Sequence, residues 1–431
     1  MSFIREKIRK KPIFSHAISA NIPKFYLFSF AWMFVLMFTV NVVFLRENGI
    51  PVSQITILDV FWAVAAFALE VPTGALADRW SRKYMLVLSS LFASLGLLTY
   101  SLSRTFLLFA LATIFMAMRN SFSSGTANAL LFDTLKNIGK EDDFEKILGR
   151  VKLLGIISVS LAGIFGAYLA SLNIRLPFVI SIFTSLVAAL IALTFEEPRI
   201  HTSTEEVKIF EHIKQAGKYF LTHPVIKFLF LYLIFMDIAI SYLDEYDQLY
   251  LTEISFPLSF FGVWIGARRC LSGFGGLFAE KLKNKSSAHL KSIALLAMLV
   301  SLVVVSAGNK YAGLVAFLLI FLIWGVSEVL ISGELHSQVE SYRRATIESL
   351  IVFFGVIIDI PARLGFGYIS EAFGIRTGYL YVMTLLLLYS PYFFTKKSVL
   401  LILKSRAKNS GGAAGGGAAP EQARPKAELT K

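Results

Sequence analysis

Residues 70–84 read EVPTGALADRWSRKY. An apolar run carries an acid, Glu70, then Pro72 and Gly74, and closes on an ordered set of charges: Asp78, Arg79, Arg82 and Lys83. A segment suited to lipid has no evident use for an acid, or for a proline that removes a helix hydrogen bond. What surrounds the stretch decides how it is read.

Composition points to the bilayer. Of 431 residues, 56% are hydrophobic, only 16% are charged and 39 are phenylalanine, whereas soluble domains carry roughly 25% charge. A mean hydropathy of +0.66 agrees. The single cysteine, Cys270, allows no intrachain disulfide and reads as a small core residue. The net charge of +13 would suggest nucleic acid in a soluble protein. In a membrane protein it has a plainer source, the excess of Lys and Arg in cytoplasmic segments.

A spanning helix needs about 20 apolar residues. Twelve stretches qualify, near 24–45, 53–76, 84–103, 105–133, 147–171, 174–195, 224–251, 257–278, 288–306, 311–340, 346–369 and 375–395. The connections alternate in charge. One set carries Arg5, Lys7, Arg9, Lys10, Lys11 and Lys24, then Arg79, Arg82 and Lys83, then Lys136, Lys140 and Lys146. It continues with Lys208, Lys214 and Lys218, with Lys281, Lys283 and Lys285, with Arg343 and Arg344, and with Lys396 and Lys397. The other set holds only Arg46, Arg104, Arg175, Lys310 and Arg376. The first set, with both termini, is therefore expected in the cytoplasm, and no nucleic-acid partner is needed to explain the charge.

The spans divide six and six about a long connection. The expected organisation is a basic N-terminus (1–23), a first six-helix bundle (24–195), a linker (196–223), a second bundle (224–395) and a disordered tail (396–431). In the linker Ser203 and Glu206 have capping-box spacing, and Val207, Phe210, Ile213 and Phe220 fall roughly on one face, as in a helix lying on a membrane. His201, His212 and His223 recur every eleven residues, but the cap and Pro224 bound the helix between them, so no metal site is expected.

Charges inside the spans are costly and normally face protein or water. Span two has Asp59 and Glu70, span four Arg119, span seven Asp237, and span eight Arg268 and Arg269. Span ten has Glu328 and Glu334, and span eleven Asp359 and Arg363. Spans three, six, nine and twelve have none in their interiors, which is expected if those four face lipid and the rest surround a polar cavity. Asp359 and Arg363, four apart, can pair within one helix. Asp59, Arg268 and Arg269 read as further members of intramembrane ion pairs, with Asp237 as one partner for the arginines and Asp59 for either of them. Asp244, Glu245 and Asp247 read as a solvated rim.

The halves echo each other. GALADRWSRK (74–83) aligns with GLFAEKLKNK (276–285), and Ser124-Gly125 matches Ser332-Gly333. Six-span halves related by repeat are a recurring transporter plan, with the binding site at the midplane between them.

At this point the chain resembles the major facilitator superfamily. The family's signature after its second helix, Gly-x-Leu-Ala-Asp-Arg-x-Gly-Arg-Lys/Arg, is matched by Gly74, Leu76, Ala77, Asp78, Arg79, Arg82 and Lys83, with Ser81 in place of the second Gly. EVPTG (70–74) and ANALLFDTLKNIGKEDDFEKILGR (127–150) are similar to a prokaryotic branch near the drug/proton antiporters, and RATIESL (344–350) resembles the family's entry into helix eleven. The resemblance implies an all-α membrane protein of twelve transmembrane helices in two six-helix halves, by family default monomeric, in the inner membrane. It also implies a cytoplasmic gate. Gly74 would let a neighbouring helix approach, Asp78 would accept from a helix N-terminus across the halves, and Arg79, Arg82 and Lys83 would pair with acids, Asp133 foremost. Glu70 either joins that network or satisfies a local backbone gap.

By the same resemblance helices one, four, seven and ten line the cavity. They offer Arg119, Asp237 and Glu328 as groups to bind a charged solute or exchange a proton, since low dielectric favours the protonated carboxylate that proton coupling requires. The expected function is a proton-coupled secondary transporter exporting small organic solutes or drugs, with sodium as the alternative to the proton. An uptake permease for a charged metabolite is the alternative, and a non-transporting membrane sensor a distant one. A primary pump or an enzyme is not expected, because no GxxxxGK[ST], HExxH or GxSxG run occurs. No cofactor is called for.

Overall fold

A computed structural model of the chain describes residues 18–198, 224–282, 287–338 and 344–413. The amphipathic helix and histidines of the linker, and the tail beyond Ala413, lie outside the described residues. Among those residues the structure is helical, with no strand.

The first span is broken. Helix α1 (Asn21–Met33) ends at Phe34, a short 3-10 turn covers Leu36–Thr39, and α2 (Asn41–Glu47) resumes. Next come α3 (Val52–Arg79) and α4 (Arg82–Leu102). The fourth span is also split, into α5 (Phe106–Ser123) and α6 (Thr126–Asn137), at Gly125 with φ +70°. Then follow α7 (Phe144–Leu172) and α8 (Leu176–Leu193). The second half comprises α9 (Pro224–Glu253), α10 (Phe261–Leu282) and α11 (Ser287–Ala307). It is completed by α12 (Lys310–Gln338), α13 (Arg344–Phe373) and α14 (Ile375–Ala413).

Neighbour relations repeat between the halves. Helix α4 packs on α5 and α8, as α11 packs on α12 and α14; α1 packs on α8, as α9 packs on α14. Across the halves α3 lies on α13 and α10 on α7, a reciprocal pair of contacts. This is the pseudo-two-fold arrangement expected from the echo at 74–83 and 276–285.

Among the described residues ten segments are long and apolar enough to cross a membrane. The other two long helices, α10 and α14, are diluted by Arg268 and Arg269 and by tyrosines such as Tyr379 and Tyr389. The helices of spans three, six, nine and twelve turn apolar side chains outward, including Leu95, Phe183, Val300 and Leu388. Lys291, near the start of α11, is a buried exception that pairs with Glu334.

Ser332-Gly333 lies inside continuous α12, whereas Ser124-Gly125 marks the break in span four. Two expectations need correction. Helix α14 runs on to Ala413 rather than ending at 395, because no breaker interrupts the Leu- and Lys-rich stretch before Gly411-Gly412. Cys270 is exposed, not a core residue.

Candidate functional site

Two ends of the bundle must be distinguished: the basic end, which carries 79–83, and the far end, where α3 begins. Among the described residues the polar contacts joining the halves gather at the far end. The Gln248 side chain of α9 accepts from the Val42 and Val43 amides at 3.0 and 3.3 Å. It donates to the Phe38 carbonyl at 3.1 Å and to Asn41 at 2.9 Å. Glu371 of α13 accepts from the Val52 amide at 2.5 Å and pairs with Arg46 at 3.3 Å. Gly163 of α7 faces Gly262 of α10, and Gly367 of α13 faces Thr56 of α3.

The break in span one has no glycine or proline to explain it; tertiary hydrogen bonds sustain it instead. Ser181 accepts from the Leu36 amide at 2.8 Å, and Thr184 donates to the Phe34 carbonyl at 2.8 Å. Ser158 serves the Phe30 carbonyl at 2.7 Å. Irregular backbone at membrane depth persists only where such partners exist.

A charge cluster joins the far end to the interior. Arg363 pairs with Asp359 at 2.8 Å one turn away, with Glu245 of α9, and with Asp59 of α3 at 3.7 Å. Tyr246 donates to Asp59, and Tyr242 donates to Asp359 at 2.8 Å. The Asp359–Arg363 pair has the spacing read from the sequence. Asp59 meets Arg363 and not Arg268 or Arg269, because α3 lies on α13.

Arg268 and Arg269 turn to the end of α9, not to Asp237. Arg268, 2% exposed, pairs with Asp244 at 2.6 Å and Asp247 at 2.9 Å, and Arg269 pairs with Asp244 at 2.8 Å. Trp264 donates to Asp247 at 2.9 Å. Asp247 is thus buried and paired, and the solvated-rim reading fails for it. Glu245 is exposed, as a rim residue would be, and also pairs with Arg363. Desolvated arginines on α10 and α13 require these acids close by.

A cavity of about 400 Å³ opens between α9, α12 and α13. Asp237, Ser241, Trp324, Glu328, Asp359 and Arg363 help to line it. Asp237 and Glu328 are open to it and have no hydrogen bond or ion pair among the described residues. Span eleven therefore contributes to the lining beside spans seven and ten.

Arg119 does not join that cavity's lining. It is 8% exposed, its guanidinium lies 3.8 Å over the Trp32 ring, and Nη2 donates to the Trp32 carbonyl at 2.7 Å. The Trp32 indole is held in turn by Ser89 at 3.1 Å. No described carboxylate pairs with Arg119, and its Nε has no partner.

At the basic end, Arg82 pairs with Asp133. A Cβ at Gly74 or Gly149 would meet nothing within 4 Å, so the close approach expected at Gly74 is not made in this conformation. Glu70 is exposed, and the Thr73 hydroxyl donates to the Leu69 and Glu70 carbonyls beside the gap that Pro72 leaves. The side chains of Asp78 and Arg79 lie outside what is described. Lys83 sits over the Tyr84 ring at 5.7 Å.

Glu197 was not among the expected residues. Its carboxylate accepts from the Arg82 and Lys83 amides at 2.8 and 3.1 Å and from Ser81 at 2.7 Å, so it caps α4 where the helix dipole favours an anion. Glu197→Gln is expected to lower stability by about 1 kcal/mol, checked by thermal unfolding of the purified protein.

Residues 25–357 match the Major Facilitator Superfamily. The chain belongs to the Major Facilitator Superfamily. It is 23% identical over 361 residues to the uncharacterized MFS-type transporter YxaM of Bacillus subtilis (strain 168), covering 80% of this chain and 88% of that one. Among solved structures it resembles a variant of the nucleoside transporter NupG, with TM-score 0.72 and 16% identity over 88% of this chain and 99% of that one. It also resembles a bacterial homologue of the human lysosomal transporter Spinster in an inward-facing, unoccupied conformation, with TM-score 0.69 and 16% identity, covering 91% and 98% of the two chains. The family match makes this a multi-pass membrane transporter of the major facilitator type, and the solved structures show its fold.

Of the residues this superfamily member brings together, sequence reasoning missed Gln248, Glu371 and Glu197. A signal for the first existed: Asp244, Asp247 and Gln248 recur three to four apart on α9, which places them on one buried face. Nothing local marks Glu371 or Glu197, whose partners are distant in sequence.

Proposed function

We propose that this protein is a proton-coupled secondary active transporter that exports small organic solutes or drugs by alternating access. Its basic end and both termini would face the cytoplasm of a prokaryote. The observation that carries the reading is the pair of unpartnered carboxylates, Asp237 and Glu328, in a cavity between helices. Groups so placed can exchange a proton or a cationic solute with the basic end. Contacts at the far end and open space at Gly74 support one of the two states that rocking halves require. In the opposite state Gly74, Asp78, Arg79, Arg82, Lys83 and Asp133 would form the latch, with Glu70 beside it. A monomer suffices for this cycle.

An uptake permease for a charged metabolite is the second reading, favoured by the fixed charge of Arg363 in the same cavity as the carboxylates. Accumulation of a panel of dyes and drugs in efflux-deficient bacteria, with and without a protonophore, separates the two. Lower accumulation that the protonophore abolishes supports export. Unchanged accumulation with the protein present in the membrane favours uptake. Asp237→Asn is expected to remove the pH dependence of gradient-driven flux; intact flux with intact pH dependence would take Asp237 out of coupling.

A further inference from the structure

The two halves hold opposite charges for which no ion-pair partner stands among the described residues. In the first half, Arg119 is buried, stacked on Trp32 and tied to one carbonyl, with no carboxylate beside it and no acceptor for Nε. A buried arginine without a counter-ion is costly, and the ring offsets only part of that cost. In the second half, Asp237 and Glu328 face the cavity with no cation of their own. Arg363 lines the same cavity, but its direct ion pairs go to Asp359, Glu245 and Asp59.

Resting on the transporter reading above, we infer that the transported solute is a zwitterion. Its carboxylate is received by Arg119 beside Trp32, and its ammonium by Asp237 and Glu328. A solute with only a positive charge leaves Arg119 unanswered, and one with only a negative charge is repelled by the acids of the second half. A solute carrying both is attracted at each end. It also ties the halves together toward the basic end, where the polar contacts between them thin out, so its binding favours closure there.

The test uses the full-length purified protein in vesicles. The probes are dialanine and γ-aminobutyrate, each with its methyl ester, which keeps only the positive charge, and its N-acetyl form, which keeps only the negative. Expected is saturable counterflow of at least one zwitterion, with either single-charge form transported about tenfold less. Arg119→Gln and Asp237→Asn should each abolish zwitterion counterflow, with Arg119→Lys restoring part of it. Equal counterflow of an ester, no counterflow of either zwitterion, or zwitterion counterflow unchanged in Arg119→Gln overturns the inference. Protonophore-sensitive flux of a cationic dye in the same vesicles would then show that the transporter reading survives without it.

Discussion

Gly262→Ala is expected to lower transport by about tenfold or more, while Gly163→Ala leaves it near the parent rate. The two glycines face each other across α7 and α10, but the contact is not symmetric. A Cβ on Gly163 would rest at 3.7 Å from the Gly262 Cα, an ordinary contact. A Cβ on Gly262 would overlap the Gly163 carbonyl and the Ile164 backbone, which cannot rotate aside. The helices must then part at the far end, and the state closed there loses population to the state open there. The check pairs flux with maleimide labelling of a reporter cysteine at Thr39, 3% exposed, in a chain carrying Cys270→Ser. Labelling should be faster in Gly262→Ala than in the parent. Identical labelling and flux would mean that this contact has no part in closure.

Arg363→Gln should be the most damaging single change among the intramembrane charges. It leaves Glu245, Asp359 and Asp59 facing one another with no cation between them. Breaking a buried pair by removing one partner costs about 3–5 kcal/mol. Because these acids are partly exposed, the lower end of that range, about 3 kcal/mol, is expected. Thermal unfolding measures this directly, and flux should fall with it. Asp59→Asn is the informative companion. It removes only the cross-half arm of the cluster, at 3.7 Å, so it should spare most of the stability while loosening far-end closure. A variant of Arg363 with parental melting and flux would leave the cluster without a mechanistic role.

Some of this was legible in the sequence because it is local. Periodic apolar length marks a span wherever it occurs, and the absence of charge in spans three, six, nine and twelve marks the helices that turn apolar faces outward. Asp359 and Arg363 sit one turn apart, so their pairing follows from helix geometry alone. Arg268 shows the limit. Its position on α10 required an acid nearby, but whether that acid was Asp237 or the Asp244–Asp247 pair depended on the height at which α10 meets α9. The break in span one was illegible for the same reason: residues 34–40 contain no glycine or proline, and the groups that replace the lost helix bonds come from α8 and α9.

By itself, then, the sequence determined the number and order of the spans, the six-and-six division, the outward helices and the family written in residues 74–83. Each of these is set by residues close together along the chain. The tertiary structure alone decided which end is closed, which acids Arg363 holds, that Glu197 caps α4, and that among the described residues Arg119, Asp237 and Glu328 make no ion pair. Those outcomes turn on groups as far apart as Asp59 and Tyr246, 187 residues along the chain. Electrostatic and hydrogen-bond energies depend on distance in space, which separation along the chain does not give.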